Sequence, residues 1–140
     1  MSLLFAYGSN MAVSEMEGWC RDYRFLGPAR LDGFRLEFRR RSIRWGGGAA
    51  DIVPAPGESV WGALYELPDG ELDRLDSKEG AGFAYRRRAV EVEHAGELLA
   101  AEAYEVIDKE NEEVAPTPEY LDLLRTAARE RGVPGGINPR

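Results

Sequence analysis

The clearest pattern in the chain lies at residues 34–39, where Phe34, Leu36 and Phe38 alternate with Arg35, Glu37 and Arg39. A period of two puts the apolar side chains on one face of a strand and the charged ones on the other. Upstream, residues 3–7 form a continuous apolar run stopped by Gly8-Ser9-Asn10, which predicts a buried strand ended by a turn. A short helix is expected at residues 13–19. Trp45-Gly46-Gly47-Gly48 breaks the alternating strand, and an extended run resumes at residues 49–53. Pro54-Ala55-Pro56-Gly57 then predicts a turn before another strand at residues 60–67.

Pro68-Asp69-Gly70-Glu71-Leu72 opens a short helix with Asp69 as its N-cap, Leu72 and Leu75 on one face, and an end near Glu79-Gly80. Residues 85–93 and 98–107 read as a hairpin turning at His94-Ala95-Gly96, with Val90 and Val92 facing inward. Beyond an acidic loop, Thr117-Pro118-Glu119 supplies an N-cap, a first-turn proline and a dipole-favoured carboxylate for a helix to about residue 131. Its core face would carry Tyr120 or Leu121, Leu124 and Ala128. The element order predicts one α+β domain over residues 1–140, a mixed, barrel-like sheet with two to four short helices.

Composition narrows the function classes. At 140 residues, 44% apolar and 31% charged, with six Tyr, five Phe and three Trp, the chain is rich enough in core formers to fold alone. A net charge of −7 repels phosphate backbones, and the basic run Arg39-Arg40-Arg41-Ser42-Ile43-Arg44 reads as the solvated face of a strand, so no nucleic-acid partner is expected. Arg86-Arg87-Arg88 is expected to pair with surrounding glutamates. Cys20 is the only cysteine, which excludes an intrachain disulfide and fits a reducing cytoplasm; beside Trp19 it reads as a small buried hydrophobe. The first residues lack the basic flank and apolar length of a signal peptide, and no apolar stretch is long enough to span a bilayer, so no membrane partner is expected. One His and one Cys cannot build a zinc site, and there is no Gly-x-Ser-x-Gly elbow, so neither a metal nor a Ser-His-Asp apparatus is expected.

Two segments carry chemistry. A buried strand ending in Tyr7-Gly8-Ser9-Asn10 at the start of a helical turn aims successive backbone amides at one concavity, suited to an anionic or carbonyl oxygen; the same residues also make an ordinary strand-to-helix turn. Glu79, in Leu75-Asp76-Ser77-Lys78-Glu79-Gly80, stands at a helix end whose dipole disfavours a carboxylate; it is either an exposed terminal acid or a residue kept there for its chemistry.

Taken together with Ala29-Arg30-Leu31, Trp45-Gly46-Gly47-Gly48-Ala49, Val60-Trp61-Gly62, Pro116-Thr117-Pro118 with Tyr120, and Gly132-Val133-Pro134, these segments resemble the gamma-glutamylcyclotransferase family over nearly the full length. The resemblance implies cofactor-independent release of 5-oxoproline from a small-molecule gamma-glutamyl amide, with Glu79 as catalytic acid/base. It implies that Tyr7, Gly8, Ser9 and Asn10 hold the glutamyl moiety through backbone amides, and that Tyr85 and Tyr120 line the pocket. Those amides would hold either the substrate carboxylate or the oxyanion of the tetrahedral intermediate. Asn10 is similar to the general branch, where the glutathione-specific branch usually has leucine. Two departures stand out: the spacing from Glu79 to Tyr85 is shortened, and residues 135–140 differ from the helix that often follows in the family, which bears on the pocket's outer wall and on a family homodimer contact. A non-catalytic module binding gamma-glutamyl or other acidic small molecules is the alternative reading.

Overall fold

The computed structural model describes residues 1–80, 82 and 84–134; the expected departure at residues 135–140 lies outside them. Its strands are β1 (Ser2–Ala6), β2 (Arg24–Ser42), β3 (Gly47–Leu67), β4 (Tyr85–His94) and β5 (Glu97–Val106), and its helices α1 (Val13–Trp19), α2 (Asp69–Glu79) and α3 (Pro118–Glu130), with a 3-10 turn at Ser9–Met11. The strands close into a barrel in the order β1-β3-β2-β4-β5. Every neighbouring pair is antiparallel except β1 and β5, which run parallel with Leu4 opposite Glu102, so the sheet is mixed. The α+β, barrel-like fold expected from the element order is the one observed. No helix among the described residues is long and apolar enough to cross a membrane.

The apolar run of β1 enters the centre of the core, with Leu4 and Phe5 each 1% exposed beside Ile52, Leu64 and Tyr65 of β3. Leu72 and Leu75 bury the inner face of α2, while Tyr120, Leu124 and Ala128 bury that of α3, where Thr117 Oγ1 accepts from the Tyr120 amide at 3.2 Å as the N-cap. The hairpin of β4 and β5 turns through Ala95 and Gly96, both at positive φ (50° and 83°), the backbone that matches a two-residue turn to the twist of its strands.

Three local expectations are corrected. Pro54-Ala55-Pro56-Gly57 does not separate two strands: β3 runs through it as a bulge opposite Gly33, because β2 pairs with β3 on both sides, Phe34 with Pro54 and Asp32 with Ser59. Asp69 is not the N-cap of α2. Pro68 holds that position, and Asp69 instead accepts from Ser2 Oγ at 2.6 Å, drawn to the start of β1. Glu37, placed by alternation among solvated charges, is only 3% exposed. The segment after β5 lies along this side of β2, where the Val114 and Glu110 amides donate to Phe38 and Arg39 carbonyls at 2.8 Å, and Glu37 is enclosed between Arg35 and Arg39.

Close approach of that segment depends on glycine. A Cβ at Gly48 would stand 1.8 Å from the Val114 carbonyl oxygen, and one at Gly62 would stand 2.4 Å from that of Ala6, the last residue of β1. Both contacts brace the barrel end from which the loop at residues 7–10 emerges.

Candidate active site

At this end of the barrel, β1 delivers Tyr7-Gly8-Ser9-Asn10, α2 delivers Glu79, β4 begins at Tyr85 and α3 brings in Tyr120. All seven residues singled out from the sequence line one inner pocket of about 40 Å³, together with Ala50 and Tyr104. A wider cavity of about 310 Å³ adjoins it and shares Ser9, Glu79, Tyr85 and Tyr120 with it; Arg40, Arg44 and Trp45 line its far side. Glu79 therefore stands between a small chamber and a larger one.

The end of α2 explains how Glu79 is aimed. Gly80 takes the left-handed conformation (φ 61°, ψ 51°), and its amide bonds back to the carbonyls of Asp76 and Ser77, ending the helix immediately after the glutamate. The side chain is 14% exposed. Asn10 Nδ2 donates to Glu79 Oε1 at 2.8 Å. Burial raises the carboxyl above the ordinary glutamate value, while the Lys78 ammonium and the Asn10 hydrogen bond pull it down without cancelling the rise. A carboxyl so displaced toward neutrality can exchange a proton in either direction.

The phenols around it are tied to the barrel. Tyr120 Oη accepts from the Ala50 amide at 2.9 Å, Tyr85 Oη donates to the Ala50 carbonyl at 3.3 Å, and Tyr7 Oη donates to the Tyr104 carbonyl. Tyr104 Oη donates to Asp76 Oδ1 at 2.7 Å, and Arg87 holds Asp76 at 2.6 Å. Burial pushes Tyr7, Tyr85, Tyr104 and Tyr120 well above the usual phenol value, so all four stay neutral near pH 7. The loop itself turns through bonds from the Met11 amide to Gly8 O (3.0 Å) and from the Ala12 amide to Ser9 O (2.9 Å). Among the described residues, nothing accepts from the amides of Gly8 and Ser9, which suits them to bind an oxygen. A Cβ on Gly8 would lie 3.3 Å from that of Ala50 and 3.7 Å from Tyr120 Oη, so the glycine lets the loop press against β3.

Sequence reasoning missed the charged groups behind Glu79. Lys78 has a side chain only 5% exposed; its ammonium donates to Ser9 Oγ at 3.2 Å and to Asn10 Oδ1, and pairs with Glu15 Oε1 at 3.2 Å. Arg44 pairs with Glu15 Oε2 at 2.8 Å and lies over the Trp45 ring. The solvated-face reading of residues 39–44 is thus corrected in part: Arg39 is enclosed with Glu37, Arg40 lies over the Tyr85 ring, and Arg41 is exposed. Arg86 and Arg88 do pair with a glutamate, Glu105, at 2.9 and 3.0 Å. Burial pushes the Cys20 thiol up to about 11, leaving it protonated and without thiolate character.

Comparison with known proteins places this geometry. The family described as "Gamma-glutamyl cyclotransferase, AIG2-like" matches residues 4–122. The chain is 30% identical over 138 residues to the gamma-glutamylcyclotransferases of Bos taurus and Homo sapiens, covering 94% of this chain and 72% of each relative. A solved structure titled "Gamma-glutamyl cyclotransferase" superposes with a TM-score of 0.90 at 29% identity, over 99% of this chain and 89% of that one.

Proposed function

Because the chain belongs to the gamma-glutamyl cyclotransferase, AIG2-like family, we propose that it releases 5-oxoproline and a free amine from a gamma-glutamyl amide, with Glu79 as general acid/base. The observation that carries this reading is a single carboxyl, raised by burial and held by Asn10, on the wall between two chambers.

Such a substrate carries its own nucleophile. Its α-amino group reaches the γ-carbonyl carbon by closing a five-membered ring, so a pocket that folds the chain onto itself supplies several kcal/mol of barrier reduction through proximity. The amino group has a pKa of about 8 and enters mostly as ammonium. Glu79 takes a proton from it, the new C–N bond forms, and the γ-carbonyl oxygen becomes an oxyanion. As the oxyanion collapses and the amide C–N bond breaks, Glu79 returns the proton to the amide nitrogen; the ring nitrogen sheds its second proton through the same carboxylate, and that proton leaves with the amine as its ammonium, so no water is consumed and the proton count balances. The inner chamber suits the glutamyl end, with the amides of Gly8 and Ser9 binding its carboxylate or the oxyanion and the neutral phenols of Tyr85 and Tyr120 enclosing it. The wider cavity suits the departing amine. No step calls for a cofactor or metal.

The test is product analysis on a panel of gamma-glutamyl dipeptides and gamma-glutamyl amines. Cyclisation gives 5-oxoproline and amine in equal amounts. Release of glutamate would make the protein a hydrolase, and saturable binding without product would make it a binding module.

A further inference from the structure

The amide of Asn10 lies between a cation and the candidate catalytic acid. Its oxygen receives a proton from Lys78 Nζ, and its Nδ2 donates to Glu79 Oε1 at 2.8 Å. An ammonium has only protons to offer, so the end of the amide that meets it must be the oxygen, and the end that meets Glu79 must be the NH2. The remaining partners of Lys78 are Ser9 Oγ and Glu15 Oε1, each at 3.2 Å, while Glu79 Oε1 is farther away at 3.8 Å. The ammonium thus directs its protons to Asn10, Ser9 and Glu15 and reaches Glu79 by charge across 3.8 Å, not by a hydrogen bond. Among the described residues no hydrogen bond reaches Glu79 Oε2.

We propose that Lys78 is a positioning residue: through Asn10 it fixes Glu79 Oε1 as a hydrogen-bond acceptor and leaves Oε2 as the oxygen that exchanges the substrate's proton. The proposal rests on the cyclotransferase reading for its catalytic consequence, but the orientation of the carboxyl is a property of the free protein. Glu15, on α1, is the counterweight. It holds the ammonium on the side away from Glu79 and is itself held by Arg44 from the turn between β2 and β3. Burial pushes Glu15 up, yet Arg44 and Lys78 together keep it below the ordinary glutamate value, so it stays ionised and keeps its hold.

Among the described residues, the charged groups around Glu79 are Lys78 on its own helix, Glu15 on α1 and Arg44 on the hairpin turn, with Arg40 of β2 on the wall of the wider cavity. The phenols facing it from β1, β4, β5 and α3 are Tyr7, Tyr85, Tyr104 and Tyr120, all neutral near pH 7. Loss of Lys78 removes a nearby positive charge and frees the Asn10 amide to turn, and both changes raise the titration midpoint of Glu79. Loss of the Glu15 charge removes a nearby negative charge and leaves Lys78 on Asn10, which lowers it.

The test measures the acid limb of the pH–kcat/KM profile for wild type, Lys78→Met, Lys78→Arg and Glu15→Gln, alongside ¹³C NMR titration of the Glu79 carboxyl in the same proteins without substrate. Expected are a midpoint moved up and a kcat lowered roughly tenfold or more in Lys78→Met, a return toward the wild-type midpoint in Lys78→Arg, and a midpoint moved down in Glu15→Gln. Opposite displacements are not what a merely structural role gives. Unmoved midpoints, or displacements of the same sign, would overturn the proposal; should Lys78→Met fail to fold, an unmoved or raised midpoint in Glu15→Gln does so alone. The NMR arm needs no turnover, so absence of 5-oxoproline from wild type would count against the cyclotransferase reading while leaving this one open to its own result.

Discussion

Glu79 occupies the last turn of a helix, where the dipole and burial both oppose its negative charge. Its folded-state proton is held more tightly than in the unfolded chain. The stabilisation from that proton is complete below the unfolded value of about 4.3 and is lost as pH rises through the higher folded value. Near neutrality Glu79 therefore costs stability relative to acid pH, and Glu79→Gln, which keeps an oxygen to accept from Asn10, is expected to raise Tm at pH 7; thermal melts at pH 7 and pH 4 check this, the difference shrinking at the lower pH. The sequence made this residue conspicuous, because an acid before a helix-ending glycine is out of place. It could not show Lys78 as more than a favourable cation in a last turn. The meaning of Lys78 comes from Glu15 and Asn10, more than 60 residues away in the chain and brought to it only by the closed barrel.

Elements whose signals are local were legible: the apolar run of β1, the alternation in β2, the hairpin of β4 and β5, and the capped start of α3. Elements whose course is set by a partner were not. Two prolines and a glycine within four residues announce a turn, yet the pairing of β2 carries β3 past them. Asp69 has the chemistry of an N-cap, but Ser2 claims it from the neighbouring strand. The end of α2 is the element boundary on which the site depends, and Gly80→Ala places a Cβ in the left-handed region at a cost of about 1 kcal/mol. We expect a Tm lower than that of wild type and a reduced kcat, because an altered helix end displaces Glu79 from Asn10; denaturant melts and steady-state kinetics read the two effects separately.

Across the whole molecule, the segment between β5 and α3 ties the barrel together. Lys109 pairs with the fully buried Asp51 at 2.8 Å, and the Gly48 amide donates to the Ala115 carbonyl at 3.0 Å. A methyl at position 48 has no room, so Gly48→Ala should destabilise the fold by at least the 1–3 kcal/mol typical of overpacking, about that range or more, as measured by urea unfolding. Acid should weaken the same architecture. Burial pushes Glu37 and Glu105 up, but their arginine partners hold both below the ordinary value, so their stabilisation is present above about pH 4.3 and is lost as pH falls through the folded values. Asp51, raised by burial despite Lys109, contributes with the opposite sign. Unfolding midpoints measured from pH 7 down to pH 3 should fall over the lower part of that range. The central claim is that one buried carboxyl manages the proton of an intramolecular cyclisation, and the most direct measurement is the rate of 5-oxoproline release by Glu79→Gln beside wild type on the best substrate of the panel. We predict a folded protein whose kcat is lower by roughly 10²- to 10⁴-fold; a Glu79→Gln protein turning over at the wild-type rate would contradict the account.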